Sequence, residues 1–134
     1  MKILAIDHGT RKVGLAISDE TGLVAARLPV LLVKNMDEAC EGVQQICNDM
    51  APEQILVGLP LRPDGSDTEQ SEIVKIFIEK LKKYVDTQIV TANEAFTTQM
   101  AESGGLSRRQ KQQSDSEAAR LLLQDYLDEQ SSRD

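Results

Sequence analysis

The chain has no tryptophan, one histidine and two cysteines in 134 residues, and aromatic side chains make up only 3% of it. A core without large rings has to be assembled from Ile, Leu, Val and Ala. A single imidazole, His8, excludes a His-rich zinc site and makes a Ser-His-Asp triad a poor fit. Lying just before Gly9, His8 reads as a turn residue or as a contact to phosphate or water. Cys40 and Cys47 fall within one helical stretch, roughly 10 Å apart along its axis at 1.5 Å per residue. That is beyond the reach of a disulfide, and they form no C-x-x-C pair, so buried thiols are expected. No apolar run approaches the ~20 residues of a membrane span, and the N-terminus lacks a signal-peptide pattern. A cytoplasmic protein with no membrane partner is the expectation.

Positive charge is the other shortage. Fifteen Lys and Arg against 22 Asp and Glu leave a net charge of −7, which argues against a broad, nonspecific nucleic-acid coat. A polyanionic partner would need a local basic surface, and two are available: Arg11 with Lys12, and Arg108, Arg109 with Lys111. With 40% hydrophobic and 28% charged residues, the rest of the composition is that of a globular chain. Its length suits one domain, 1–134, with a frayed tail from about residue 128.

The period of the apolar residues gives the architecture. "KILAID" (2–7) is a strand covered on both faces, and "VGLAISD" (13–19) alternates bulky Val13, Leu15 and Ile17 with small Gly14, Ala16 and Ser18. One face of that strand therefore admits something close. The short link through Gly9 makes the two a hairpin. "VAARLPVLLV" (24–33) is a third strand, pushed to the sheet edge by Pro29. From Met36 to Met50 the spacing turns helical, and Pro52 follows the stop. "QILVGLP" (54–60) is a buried strand breaking at Gly58 and Pro60, and Pro63-Asp64-Gly65 supplies a turn. Ser66 and Glu69 read as a capping box opening a helix to about Val85, and "TQIVTA" (87–92) as a strand. "FTTQMAES" is a short helix closed by Gly104-Gly105; Ser114 and Glu117 cap the last helix. Three antiparallel strands followed by α/β crossovers predict a mixed five-stranded sheet with helices on both faces.

Three acids fall at element ends, where α/β sheets collect ligands: Asp7 closes the first strand, Glu94 lies just past the fifth, and Asp115 is in the first turn of the last helix. Taken singly, each is an ordinary turn or helix-start acid. Brought together they would repel unless a cation sat among them, and oxygen donors alone suit Mg²⁺ or Mn²⁺. Two such ions can clamp the attacking and leaving oxygens of an in-line phosphoryl displacement. Spacing alone does not make the three converge.

Four segments, "ILAIDHGTRKVGLAISD", "ILVGLPLRPDGSD", "NEAFTTQMAE" and "SDSEAARLLLQDYL", resemble in order the signature segments of the YqgF family. These are RNase H-like proteins described as Holliday-junction resolvases and as nucleases maturing the end of pre-16S ribosomal RNA. The resemblance implies an RNase H-like fold, a metal-dependent hydrolase of phosphodiester bonds, and Asp7, Glu94 and Asp115 as its catalytic, metal-holding acids. It further implies that Thr10, Arg11 and Lys12 meet the sugar-phosphate chain, with Thr97, Thr98, Arg108, Arg109 and Lys111 as further contacts. A solvated hairpin tip accounts equally well for Arg11 and Lys12, and a helix cap for the threonines. Asp64 reads as a turn former rather than a fourth ligand. The family pattern D-E-R is here Asn93-Glu94-Ala95, which keeps the central acid and loses the Arg. The partner implied is structured RNA (pre-rRNA) or branched DNA, bound by a monomer or homodimer. A catalytically weak RNA-binding assembly factor is the remaining alternative.

Overall fold

The computed structural model describes residues 1–94 and 108–132, with side chains of the final helix described from Ser116 to Ser131. Strands β1 (Ile3–His8), β2 (Lys12–Ser18) and β3 (Ala25–Leu32) form an antiparallel meander, and β4 (Gln54–Leu59) and β5 (Gln88–Asn93) join it in parallel. The spatial order is β3-β2-β1-β4-β5. Pro29 lies on an edge strand as expected, beside a bulge where the β2–β3 register shifts between Val13 and Leu15.

Helices α1 (Met36–Met50) and α2 (Glu69–Leu81) cover one face, where Leu4, Ile6, Leu15, Ile55 and Val57 pack with Val43 and Phe77. The 25-residue α3 (Arg108–Ser132) covers the other, where Ala5, Ala16 and Leu56 meet Ala119, Leu122 and Leu123. The small face of β2 is thus the seat of α3. Two polar clamps fix how that helix lies on the sheet. The Ser116 hydroxyl donates to the Leu28 carbonyl at 2.8 Å, and the Gln124 side chain accepts from Ala25 N–H at 3.0 Å while donating to Leu23 O at 2.9 Å. No helix among the described residues is long and apolar enough to cross a membrane.

Four expectations need correcting. The cap of α2 is Thr68 with Ser71, not Ser66 with Glu69, because Ser66 is engaged by Asp64 in a turn and Ser71 returns a bond to Thr68 N–H at 2.8 Å. Helix α2 ends at Leu81 rather than Val85. The last helix already runs from Arg108, so Ser114 lies inside it, and it continues to Ser132 where fraying was expected. Arg, Gln and Lys are strong helix formers, and they carry the helix through a stretch without apolar periodicity. Finally, His8 is no turn residue. It is the last residue of β1, 6% exposed, stacked on Phe77 with ring centroids 4.3 Å apart. The expected short helix at 96–103 lies outside the described residues.

Both thiols are free, Cys40 buried and Cys47 half-buried, and burial pushes the Cys40 thiol up to about 11, leaving it inert. Burial also lowers the His8 imidazole from 6.5 to about 4, and its Nδ1 has no hydrogen-bond partner among the described residues. The folded state therefore holds His8 neutral while the unfolded chain protonates it below pH 6.5. Stability is complete above that pH and falls as pH drops towards about 4, by an amount on the order of 2–3 kcal/mol. In urea titrations across this range, His8→Leu is expected to flatten the decline. A variant that loses stability in parallel with the parent would contradict the assignment.

Candidate active site

β1, β4 and β5 run parallel, and their C-terminal ends lie side by side. Asp7 is next to last in β1 and pairs with Gly14 of β2. In the alternation of the strand it shares the α3 face with Ile3 and Ala5, whereas His8 takes the α2 face. Glu94 follows β5 directly, and its N–H donates to the Leu59 carbonyl at 2.9 Å, so the β4–β5 pairing carries on into the residue bearing the acid. Its side chain is buried, with the residue 6% exposed.

The Asp7 and Glu94 carboxyl groups lie close enough to act on one another. Burial pushes the Asp7 carboxyl above its usual range, and the neighbouring Glu94 offsets part of that rise. Gly58 makes the pairing possible. A Cβ there would lie 2.8 Å from Glu94 Cδ and 3.0 Å from Leu122 Cδ2 of α3, so only a bare backbone leaves room for the carboxylate. Sequence reading took Gly58 for a strand break. A glycine inside a buried strand is also the mark of a close approach, and that was the available signal.

The remaining expected site residues divide three ways. Thr10 and Arg11 are exposed in the β1–β2 turn and Lys12 is half-buried at the start of β2. The turn is closed by Gly9 N–H donating to Lys12 O at 2.9 Å, with Arg11 O accepting from Val33 N–H at 2.9 Å. Arg108, Arg109, Lys111 and Asp115 are in α3, but their side chains are outside the described ones; Thr97 and Thr98 lie outside the described residues altogether. Asp64 is a turn former, accepting from Ser66 N–H at 2.9 Å and from its hydroxyl at 2.6 Å. Among the described residues no third His, Cys, Asp or Glu joins a metal-holding group.

A mixed five-stranded sheet in the order β3-β2-β1-β4-β5, with helices on both faces and an acid on its central strand, is the architecture of an RNase H-like domain. Within that class the chain belongs to the RuvX/YqgF family: the family model described as "RuvX: Holliday junction resolvase" matches residues 1–129. Relatives named "Putative pre-16S rRNA nuclease" include one from Anaplasma marginale, 37% identical over 95% of this chain and 84% of its own. Another, from Clostridium tetani, is 36% identical over 96% of both chains. The fold is similar to that of Thermus thermophilus RuvC, solved in complex with Holliday junction substrate, with a TM-score of 0.61 and 13% identity over 98% of this chain and 96% of that one. It is also similar to the fowlpox virus Holliday junction resolvase, with a TM-score of 0.53 and 15% identity over 96% and 99% of the two chains.

Two substitutions test the carboxyl pair. Without metal, Asp7→Asn removes a half-buried acid that resists ionising, and it is expected to raise stability at pH 7, read as a higher Tm. Gly58→Ala is expected to cost about 1–3 kcal/mol as the Glu94 carboxylate is displaced. Thermal melts decide both; a destabilised Asp7→Asn or a neutral Gly58→Ala would contradict this geometry.

Proposed function

We propose that this protein is a cytoplasmic nuclease that hydrolyses phosphodiester bonds with a divalent cation, and that its substrate is the end of a precursor 16S ribosomal RNA. The observation that carries the reading is the pairing of half-buried Asp7 with buried Glu94 at the C-terminal ends of the parallel strands. Two carboxyl groups forced together need a proton or a cation between them, and a donor set made of oxygen alone fits Mg²⁺ or Mn²⁺. Asp115 is the proposed third ligand. Helical periodicity puts position 115 on one row with Ala119 and Leu122, of which Leu122 reaches the Gly58 position, and Ser116, the next residue, is pinned to Leu28.

Cations held by Asp7, Glu94 and Asp115 would supply charge against the phosphate and lower the pKa of the attacking water. The chain's own residues do the rest. Gly58 leaves room for the Glu94 carboxylate, and Leu122 packs against the Gly58 position from the α3 side. Arg11 and Lys12 make no side-chain ion pair or hydrogen bond among the described residues, so their charges are available to the sugar-phosphate chain beside Asp7. Thr10, Thr97, Thr98, Arg108, Arg109 and Lys111 are proposed as further contacts. With a net charge of −7, binding has to be local, along this rim.

The likeness to Holliday junction resolvases favours a second reading, the same chemistry on a four-way DNA junction. That reading requires a symmetric dimer. Ala95, in place of the family Arg, favours weaker catalysis in either case.

Cleavage of precursor 16S RNA and of junction DNA, compared side by side with Mg²⁺, separates the two readings. Cutting of the RNA is expected, with Asp7→Asn reducing the rate about 100-fold or more. Undiminished cleavage by purified Asp7→Asn protein would rule out the carboxylate mechanism, and cutting of the junction alone would move the substrate to DNA.

A further inference from the structure

We propose that Arg62, on the loop between β4 and α2, is a phosphate-contacting residue of the substrate track. This rests on the nuclease reading above and extends its binding surface to a residue so far without a role. The loop is fastened to the main chain at Glu94 and next to Asp7. Leu59 O accepts from Glu94 N–H and from Leu61 N–H, each at 2.9 Å, so the loop springs from the carbonyl that holds Glu94 in place. At its far end, Gln70 Nε2 donates at 3.3 Å to the carbonyl of His8, the residue after Asp7. Arg62 therefore sits on a segment tied at one side to the main chain at Glu94 and at the other to the main chain next to Asp7.

The loop is also closed on itself. Arg62 N–H donates to Ser66 O at 2.9 Å, Gly65 N–H to Arg62 O at 2.8 Å, and the Thr68 hydroxyl to Pro60 O at 2.6 Å. Two acids close by in sequence would ordinarily neutralise Arg62, but both are engaged elsewhere. Asp64 accepts from the N–H and hydroxyl of Ser66; Asp67 is bound by Lys75 Nζ at 2.7 Å and by the Ser71 hydroxyl at 3.0 Å. Arg62 Nη1 donates to the Asp67 main-chain carbonyl at 2.6 Å, which orients the guanidinium without cancelling its charge. An exposed arginine with a fixed direction, spare donors and no ion pair among the described residues is the group that recognises a phosphate oxygen. In a chain this acidic, such a charge is scarce.

The test is binding, measured by fluorescence anisotropy with an RNA covering a precursor end of 16S rRNA and with a four-way DNA junction. The Asp7→Asn protein is the parent, so that neither probe is cut. Adding Arg62→Ala is expected to weaken binding about three- to tenfold near 0.1 M salt and to lower the slope of log affinity against log salt by roughly 0.7–0.9. Arg62→Lys is expected to restore the slope. Lys83→Ala, an exposed cation beyond the other end of α2, is expected to change neither quantity. Unchanged affinity and slope for Arg62→Ala, in a parent that binds, would overturn the role of Arg62. A parent that binds neither probe in a salt-dependent way would instead contradict the nuclease reading, and this inference with it.

Discussion

Two carboxyl groups that would repel each other in water, half-buried Asp7 and buried Glu94, are brought side by side by the arrangement of the sheet. Asp7 comes from the central strand and Glu94 from the end of an edge strand, and β4 lies between the two. The Glu94 carboxylate lies over a residue without a side chain, Gly58. Burial raises the energy of the ionised Asp7, and the neighbouring Glu94 offsets part of that rise. Such a site is costly to stability and serves no packing purpose. It becomes favourable when positive charge arrives, which links the fold to the proposed chemistry.

The surroundings divide labour between the two faces. On one, α1 and α2 build the larger core, and His8 is absorbed into it against Phe77. On the other, α3 is laid on the small side chains of β2 and clamped by Ser116 and Gln124, so that its Leu122 closes over Gly58. Three cations without an ion pair among the described residues lie in the turns at the acid end of the sheet, Arg11 and Lys12 after β1 and Arg62 after β4. The overall charge is negative, so attraction for a polyanion has to be concentrated there.

Much of this was legible beforehand, for reasons that differ by element. The five strands and α1 announce themselves through period and breakers, and α1 runs from Met36 to Met50 as its spacing predicts. Pro29 marked its own strand as an edge. Asp7 and Glu94 were recognisable as candidates from their places at strand ends, but their meeting depends on β1 and β5 flanking β4, which no local pattern encodes. His8 was misread because a residue beside Gly-Thr looks like a turn until the strand pairing shows which face it takes. The cap of α2 was misplaced because Ser66 and Thr68 both suit the position, and the choice is made by Asp64 capturing Ser66. The start of α3 was missed because a polar, helix-forming segment carries no apolar stripe.

The central claim is that these acids exist to hold cations, and a crystal soaked in Mn²⁺ tests it most directly. The account predicts anomalous density within about 2.0–2.3 Å of carboxylate oxygens of both Asp7 and Glu94, with Asp115 completing the set. Manganese bound elsewhere, with no peak between the two carboxyl groups, would contradict it.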